Sequence, residues 1–509
     1  MDYKKSAILV SIAFLIFTSI LASIYVISGD GCWHLSAARF IARNDKMPLF
    51  EPLGRTDPFW PPPLYHIFTA FVYSVSGSIS EKFADTSTKF VSVLFSFLTL
   101  IFFYLCVKKI TSKRVALFSA IGLASLPLFI DYAVLAYVES MLTFFVVLSV
   151  YFALENRFLL AGITAGLASL TKYNGILILP LLAYLFYKNK IKGSKNSSIW
   201  LKGIFLVIVL PLLIMAPWLV RNWENLHNPI WPFLNPVFNG YTEFNGSEAP
   251  AHEAINFSNL LDKRAYIFTY LGFFGVPDGD YRNLTFFDVP YLKLLLTFWS
   301  IITLGYTSFF IMGIKNILKK EKRHILAVVL IWLLPSIPLF ALYIANVSFS
   351  VSRIILPTVP ALAVVWGMGA ESLFARISRP TLKKLAAILL AGIILALAGS
   401  EFTKFALARN AWLAYEDDFE WAKANTPQDS IFLLGGQCPQ YHIDRTSSQP
   451  ILENLPIVDY IWINQHFNLE RRSIMDESLV KQIREEYELA YRNGKTGTDI
   501  YRAKVTLSS

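Results

Sequence analysis

Over the first 400 residues, long apolar stretches alternate with short, strongly basic ones. Ser6 to Ile27 carries no charged side chain, and a helix of that length, rising about 1.5 Å per residue, crosses a hydrocarbon core of about 30 Å. The same pattern places spans near 6–27, 84–107, 115–133, 138–154, 158–171, 174–187, 199–220, 291–314, 325–345, 354–374 and 385–400, about eleven in all. The pair on either side of Lys172 is short, as broken or tilted helices are. With the N-terminus inside, the cytoplasmic loops carry Lys108, Lys109, Lys113 and Arg114, then Lys188, Lys190, Lys192 and Lys195. Lys315, Lys319, Lys320, Lys322 and Arg323 follow, and last Arg376, Arg379, Lys383 and Lys384. All these strongly basic loops fall on one side, as the positive-inside rule requires.

Three regions fall on the other side. Residues 28–83 form a first outer loop, in which Leu64 to Val75 is apolar but too short to span and predicts an interfacial or re-entrant helix. Residues 221–290 form a second loop rich in Asn, Pro, Gly and aromatic residues. From Glu401 the chain turns polar to its end. Within 401–509, Ile431–Leu434 and Asp459–Ile463 predict buried strands, and 416–425 and 476–491 predict helices, enough for a small extracytoplasmic α/β domain. The fold expected is a mainly α, polytopic transmembrane bundle over 1–400 followed by that domain.

Composition agrees with this division. Hydrophobic residues make up 55% of the chain and charged residues 16%, with a mean hydropathy of +0.48, well outside the range of soluble domains. The first apolar stretch is too long for a signal-peptide core and lacks a small-residue cleavage site, so it is expected to remain as a helix. A net charge of +10 is accounted for by the loops between spans and does not form a nucleic-acid patch. The three cysteines have no zinc-ligand spacing. Cys32 and Cys438 fall on the outer side and Cys106 near the inner side, and the plainer expectation is unpaired thiols.

The informative polar residues are those the topology does not explain. Asp30 stands where the first apolar helix runs out, in Gly29-Asp30-Gly31-Cys32-Trp33-His34. Asp30 and His34, four apart, suit either a divalent metal ion or an acid–base pair. The plainer reading makes Asp30 the cap of a helix over 31–43 and leaves His34 at the headgroup level. Glu139 opens the fourth span, where a helix dipole alone accounts for an acid. Lys172, in Leu170-Thr171-Lys172-Tyr173-Asn174-Gly175, sits in a tight outer turn where a basic residue is disfavoured. Snorkelling beside a helix end is its plainer reading. Arg353 and Arg221 break the same rule. Two or three cations facing one or two carboxylates at a membrane surface suit phosphate recognition beside a general base.

These positions resemble a known family. The acid after the first helix, Phe59-Trp60-Pro61-Pro62-Pro63-Leu64-Tyr65-His66, Tyr137-x-Glu139, Gly166-x5-Lys172-Tyr173, Pro217-Trp218-x-x-Arg221-Asn222 and Arg353-x-x-x-Pro357 are similar, in order, to motifs of the GT-C membrane glycosyltransferases. The branch resembled contains protein O-mannosyltransferases and lipid A aminoarabinose transferases. The chain departs from the first in following Asp30 with Gly31, and from the second in having Asp57 in place of a Glu before the Pro-rich stretch. The resemblance implies transfer of a sugar from a polyprenyl phosphate to a protein, lipid or glycan acceptor on the outer face of a cell membrane, with inversion. Asp30 would be the general base, and Lys172, Arg353 and Arg221 would hold the donor phosphate. Glu139, Tyr137, Tyr173, Asp57, Tyr65 and His66 would support the substrates. No nucleotide or nucleic acid is required, and a metal at Asp30 and His34 is left open.

Two rival readings share these features. A glycan polymerase or ligase also uses lipid-linked substrates. A lipid-linked-sugar transporter is expected to place its charges nearer the midplane, on broken helices. Asn245, Asn256 and Asn283 head matches to the glycosylation acceptor pattern in the second outer loop.

Overall fold

The computed structural model describes residues 2–52, 58–192, 196–241, 270, 272–275, 290–339, 351–434, 437–448, 452–464 and 477–503. Asp57 and the sequons at Asn245, Asn256 and Asn283 lie outside the described residues. Helix α1 (Tyr3–Ile24) begins at Asp2, whose side chain accepts from the Lys4 and Lys5 N–H groups. Then come α2 (Asp30–Asn44), α3 (Leu64–Gly77) and α4 (Glu81–Ile110). Helices α5 (Lys113–Ala124) and α6 (Pro127–Val134) meet at a 62° break. Pro127 causes it, since a proline pushes the residue before it out of the helical region but suits the first turn of a new helix.

Helices α7 (Glu139–Leu154) and α8 (Phe158–Thr171) follow. A 3₁₀ stretch, Tyr173–Ile178, leads into α9 (Leu179–Phe186). Helix α10 (Ser197–Ile204) runs on into α11 (Leu210–Leu226), and α12 (Asn235–Phe238) is a single turn. The bundle is completed by α13 (Pro290–Ile317), α14 (Arg323–Leu333), α15 (Val351–Ile354), α16 (Val359–Arg376) and α17 (Pro380–Leu413).

Each expected span contains helix among its described residues, though α1 stops at Ile24 and Ser125–Leu126 break the third. Among the described residues six helices are long and apolar enough to cross a membrane, or seven if the bent α5–α6 pair is one span. Helices α7 and α8, of 16 and 14 residues, are shorter than the roughly 20 residues a perpendicular span needs. Packing of α5, α13 and α16 centres on Trp366, which is 2% exposed and stacks on Tyr306 with ring centroids 4.8 Å apart. Gly122 makes this approach possible, because a Cβ there would lie 2.4 Å from the Trp366 ring.

The last third of the molecule carries a five-stranded sheet. It comprises α18 (Glu416–Asn425), β1 (Ile431–Leu433), α19 (Gln437–Ile443), β2 (Thr446–Ser448), β3 (Tyr460–Asn464), α20 (Glu477–Glu486), β4 (Glu488–Asn493) and β5 (Thr498–Arg502). The strand order is β2-β1-β3-β5-β4, parallel across β2-β1-β3 and antiparallel across β3-β5-β4. Alternate residues face opposite sides of a strand. Phe432, Tyr460, Trp462 and Ile500 therefore pack with Phe419 and Ala422 on one side. Leu433, Ile461, Ile463 and Tyr501 pack with Leu479 and Ile483 on the other.

Three expectations change. The helix expected over 476–491 ends at Glu486, and Glu488–Asn493 is a strand because it pairs with β5 (Leu489 opposite Tyr501). Helix α17 runs through Glu401 to Leu413, past the point where the composition turns polar. Cys32 and Cys438 are not free thiols: they form a disulfide with Cα atoms 5.2 Å apart, joining α2 to α19. Cys106 is free and buried.

Candidate active site

Four charged side chains from four elements meet at one end of the bundle. Asp30 and Glu139 are the first residues of α2 and α7, Lys172 follows the last residue of α8, and Arg353 lies in α15. Arg353 Nη1 donates to Asp30 Oδ2 at 2.5 Å. Lys172 Nζ donates to Glu139 Oε1 at 2.8 Å, and Arg353 Nε lies 3.9 Å from the same oxygen. Glu139 thus stands between the two cations, which is more than a helix-dipole role. It is 2% exposed, and its Oε2 makes no hydrogen bond among the described residues. A buried acceptor without a donor is costly, so the cluster retains an unspent acceptor at its centre.

The position of Asp30 depends on Gly29 and Tyr137. Gly29 takes φ +57°, a left-handed conformation that favours glycine, and a Cβ there would lie 2.6 Å from the Tyr137 hydroxyl. That hydroxyl accepts the Asp30 backbone N–H at 2.9 Å. Gly29 occupies the cap position, so the expectation that Asp30 caps α2 is not met. As the first helical residue, Asp30 directs its carboxylate to Arg353 and not to its own backbone. Partial desolvation works to raise its pKa, but Arg353 and Lys172 outweigh that and hold the carboxyl below its usual range. Burial likewise opposes the charge on Arg353, yet Asp30 and Glu139 hold its guanidinium well above the usual value. The Asp30 side chain is 41% exposed, which leaves the carboxylate within reach of a substrate.

The remaining candidates sort into supports of different kinds. His34 Nδ1 and His66 Nε2 share a hydrogen bond of 2.9 Å in a buried site. Burial pushes the His34 pKa down to about 3 and that of His66 well below the usual value, so both imidazoles are neutral. His34 therefore spends Nδ1 on His66. No group of three or more His, Cys, Asp or Glu side chains able to hold a metal ion occurs among the described residues. Asp30 and His34 are joined by no third carboxylate, imidazole or thiolate that would complete a metal site among the described residues. Tyr65 is fully buried, its ring edge-on to His34 at 5.7 Å.

The Tyr173 hydroxyl donates to the Trp60 carbonyl at 3.2 Å and accepts from Trp218 Nε1 and Asn222 Nδ2. It ties the Pro-rich stretch to α11. Arg221 joins this support. Its guanidinium donates to the carbonyls of Phe59 at 2.9 Å and Pro48 at 2.7 Å and lies 4.6 Å over the Trp218 ring. At the far end of α7, Lys109 pairs with Glu155 at 2.7 Å. Since α7 has 16 residues, the basic loops lie about 24 Å from the acidic cluster.

Two further networks escaped sequence reasoning. Lys404 pairs with Asp131 and, at 2.5 Å, with the buried Glu401, joining α17 to α6. Arg39 Nη2 meets Asp85 at 2.9 Å and Arg39 Nη1 meets Asp444 at 2.8 Å. The available signal was a charge inside an otherwise apolar stretch: Asp131 in 115–133 and Asp85 in 84–107.

Residues 61–220 match the sequence family described as dolichyl-phosphate-mannose-protein mannosyltransferase, a segment that contains Glu139, Lys172 and Tyr173. The match covers less than a third of the chain. Among solved structures, the fold is that of ArnT from Cupriavidus metallidurans in the apo state, at 12% identity and a TM-score of 0.59, covering 98% of each chain. The same protein bound to undecaprenyl phosphate superposes with a TM-score of 0.58 at 13% identity, covering 99% of this chain and 98% of that one. The Archaeoglobus fulgidus oligosaccharyltransferase AglB, solved with an inhibitory peptide and a dolichol-phosphate, gives 0.54 at 12% identity over 97% of this chain and 74% of its own. No curated protein is significantly similar in sequence.

Proposed function

We propose that the chain transfers a sugar from a polyprenyl-phosphate donor to a hydroxyl-bearing protein, lipid or glycan acceptor, with inversion, on the extracytoplasmic face of a cell membrane. The observation that carries this reading is the convergence of Asp30, Glu139, Lys172 and Arg353. Asp30, ionised and partly exposed, takes the acceptor proton as the acceptor oxygen bonds to the anomeric carbon. The bond from that carbon to the donor phosphate breaks, and the polyprenyl phosphate leaves with the added negative charge. Lys172 and Arg353 stabilise that charge, an interaction that grows as the bond breaks and so favours the transition state.

Before substrate binds, each cation is paired with a carboxylate of the cluster. A donor phosphate competes for Arg353 and so releases Asp30 for its role as base. Lipid phosphates bound by ArnT and AglB support this class of donor. The basic loops at the opposite end of α7 support the orientation, with the N-terminus cytoplasmic and the site and sheet outside.

The test is transfer by the purified protein in detergent from a radiolabelled polyprenyl-phosphate sugar to a panel of peptide, lipid and glycan acceptors. Label appearing on an acceptor, with release of polyprenyl phosphate, supports the reading. Vesicle experiments in which the donor crosses the bilayer and no glycosidic bond forms would replace it with transport.

A further inference from the structure

We infer that helix α19 of the C-terminal region, with Asp444 just after it, is a positioning element for Asp30, acting through Cys438, His442 and Asp444. The inference rests on the reading of Asp30 as the base and assigns a task to a segment more than 400 residues away in sequence. Its geometry is specific to the start of α2. Cys438 is disulfide-bonded to Cys32, two residues after Asp30. The same sulfur lies 3.4 Å from the carbonyl oxygen of Gly29, the residue immediately before Asp30. His442 Nε2 is 2.9 Å from the carbonyl oxygen of Ile27, three residues before it. Asp30 is thus bracketed on both sides by contacts from one helix.

The bracket is itself held firmly. His442 is stacked on Phe419 at 4.9 Å and packed against Trp412 at 5.3 Å. Burial pushes its pKa down to about 4, so near neutral pH it is an uncharged ring whose Nε2–H donates to Ile27. Further along α2, Arg39 donates to the Tyr441 carbonyl at 3.2 Å and to Asp444 Oδ1 at 2.8 Å, with its guanidinium 4.3 Å over the Tyr441 ring. Arg43 Nη2 adds a bond to Asp444 Oδ2 at 2.8 Å. Helix α19 and the residue that follows it therefore set both the axial position and the rotation of α2.

Gly29 explains why such bracing is needed. Its left-handed φ and its closeness to Tyr137 make the junction a hinge, with the wide conformational freedom of glycine. A displacement of about 1 Å between a base and its substrate can cost on the order of 10²-fold in rate. The donor-phosphate residues Lys172 and Arg353 sit just after α8 and on α15. Loosening α2 should therefore spare donor binding and lower turnover, which a general loss of folding would not do.

The experiment uses the full-length enzyme and reads kcat, donor KM and the stoichiometry of polyprenyl-phosphate binding. Reducing the Cys32–Cys438 bond with a phosphine, followed by thiol counting, should lower kcat about 10- to 100-fold with KM and binding stoichiometry unchanged, and reoxidation should restore it. His442→Ala should act in the same direction, and His442→Gln, which keeps a donor for the Ile27 carbonyl, should recover most of the loss. Unchanged kcat in the reduced enzyme and in His442→Ala overturns the inference. So does a parallel fall of kcat and binding stoichiometry, which marks a purely structural role. Asp30→Asn run alongside separates the two levels. Full activity in that variant removes the base itself, whereas a loss there together with unimpaired bracket variants removes the bracket alone.

Discussion

Two charged networks touch helix α2, one at its first residue and one on its outer turns, and they are built on opposite principles. At Asp30 the pairs are strung out: one oxygen of Glu139 serves two cations and its Oε2 makes no hydrogen bond among the described residues. At Arg39 and Arg43 the pairs are doubled. Asp444 meets both arginines, and Arg39 also holds Asp85 and a backbone carbonyl. A disulfide to Cys438 closes the same interface. The first network leaves a buried acceptor, Glu139 Oε2, open to a ligand's donor; the second holds helices together through Asp85 and Asp444, and Arg39 Nε makes no hydrogen bond among the described residues. Charge density alone would not distinguish them. The difference lies in which kind of atom is left without a partner, an acceptor in the first and a donor in the second.

The contrast fails most sharply if Asp30 is replaced. Asp30→Asn keeps the size of the side chain and removes the base, so kcat should fall about 10²–10⁴-fold, while donor binding survives. A parental rate in well-folded Asp30→Asn would make this residue another structural acid. Lys172→Ala removes a charged hydrogen bond of about 1.5–3 kcal/mol and should weaken donor binding about 10- to 100-fold. Titration with a polyprenyl phosphate measures it, and an unchanged affinity would detach Lys172 from phosphate recognition.

On the Arg39 side the expected effects are on stability. Arg39→Met leaves Asp85 and Asp444 short of a partner. Breaking a buried pair costs about 3–5 kcal/mol, which falls to about 2–3 kcal/mol here because the two carboxylates are 30% and 21% exposed. Thermal unfolding in detergent should register that loss, with no change in donor KM.

The smallest effect is in acid. Burial works to raise the pKa of Asp444, but its bonds to Arg43 and Arg39 outweigh that and lower it to about 2. A depressed folded-state pKa gives stability that is present above the unfolded value of about 4 and is lost as pH falls toward 2. The pH dependence of unfolding between 4 and 2 should therefore be flatter in Asp444→Asn. An identical slope would mean that other carboxylates govern acid unfolding.

Much of this molecule is written in local pattern. Ser6–Ile27, the alternation of apolar and basic stretches, and the short apolar piece at Leu64 predict helices that are all observed. That is because bilayer length and backbone satisfaction impose a strong one-dimensional signal. Asp30, Lys172 and Arg353 were legible for the same reason, as charges where the topology gave them no purpose. Local pattern misjudged 488–493, whose strand exists only through its pairing with β5. It also gave no sign that Arg221 donates to the carbonyls of Phe59 and Pro48.

Hydropathy and charge, properties of each stretch alone, determined the membrane class, the helices and the charged residues worth attention. Only the tertiary structure decided which charges meet. It put Glu139 between Lys172 and Arg353, took Asp30 out of its capping role, and paired Cys32 with Cys438. Those outcomes depend on distances between elements up to 406 residues apart, which packing sets and spacing along the chain does not record.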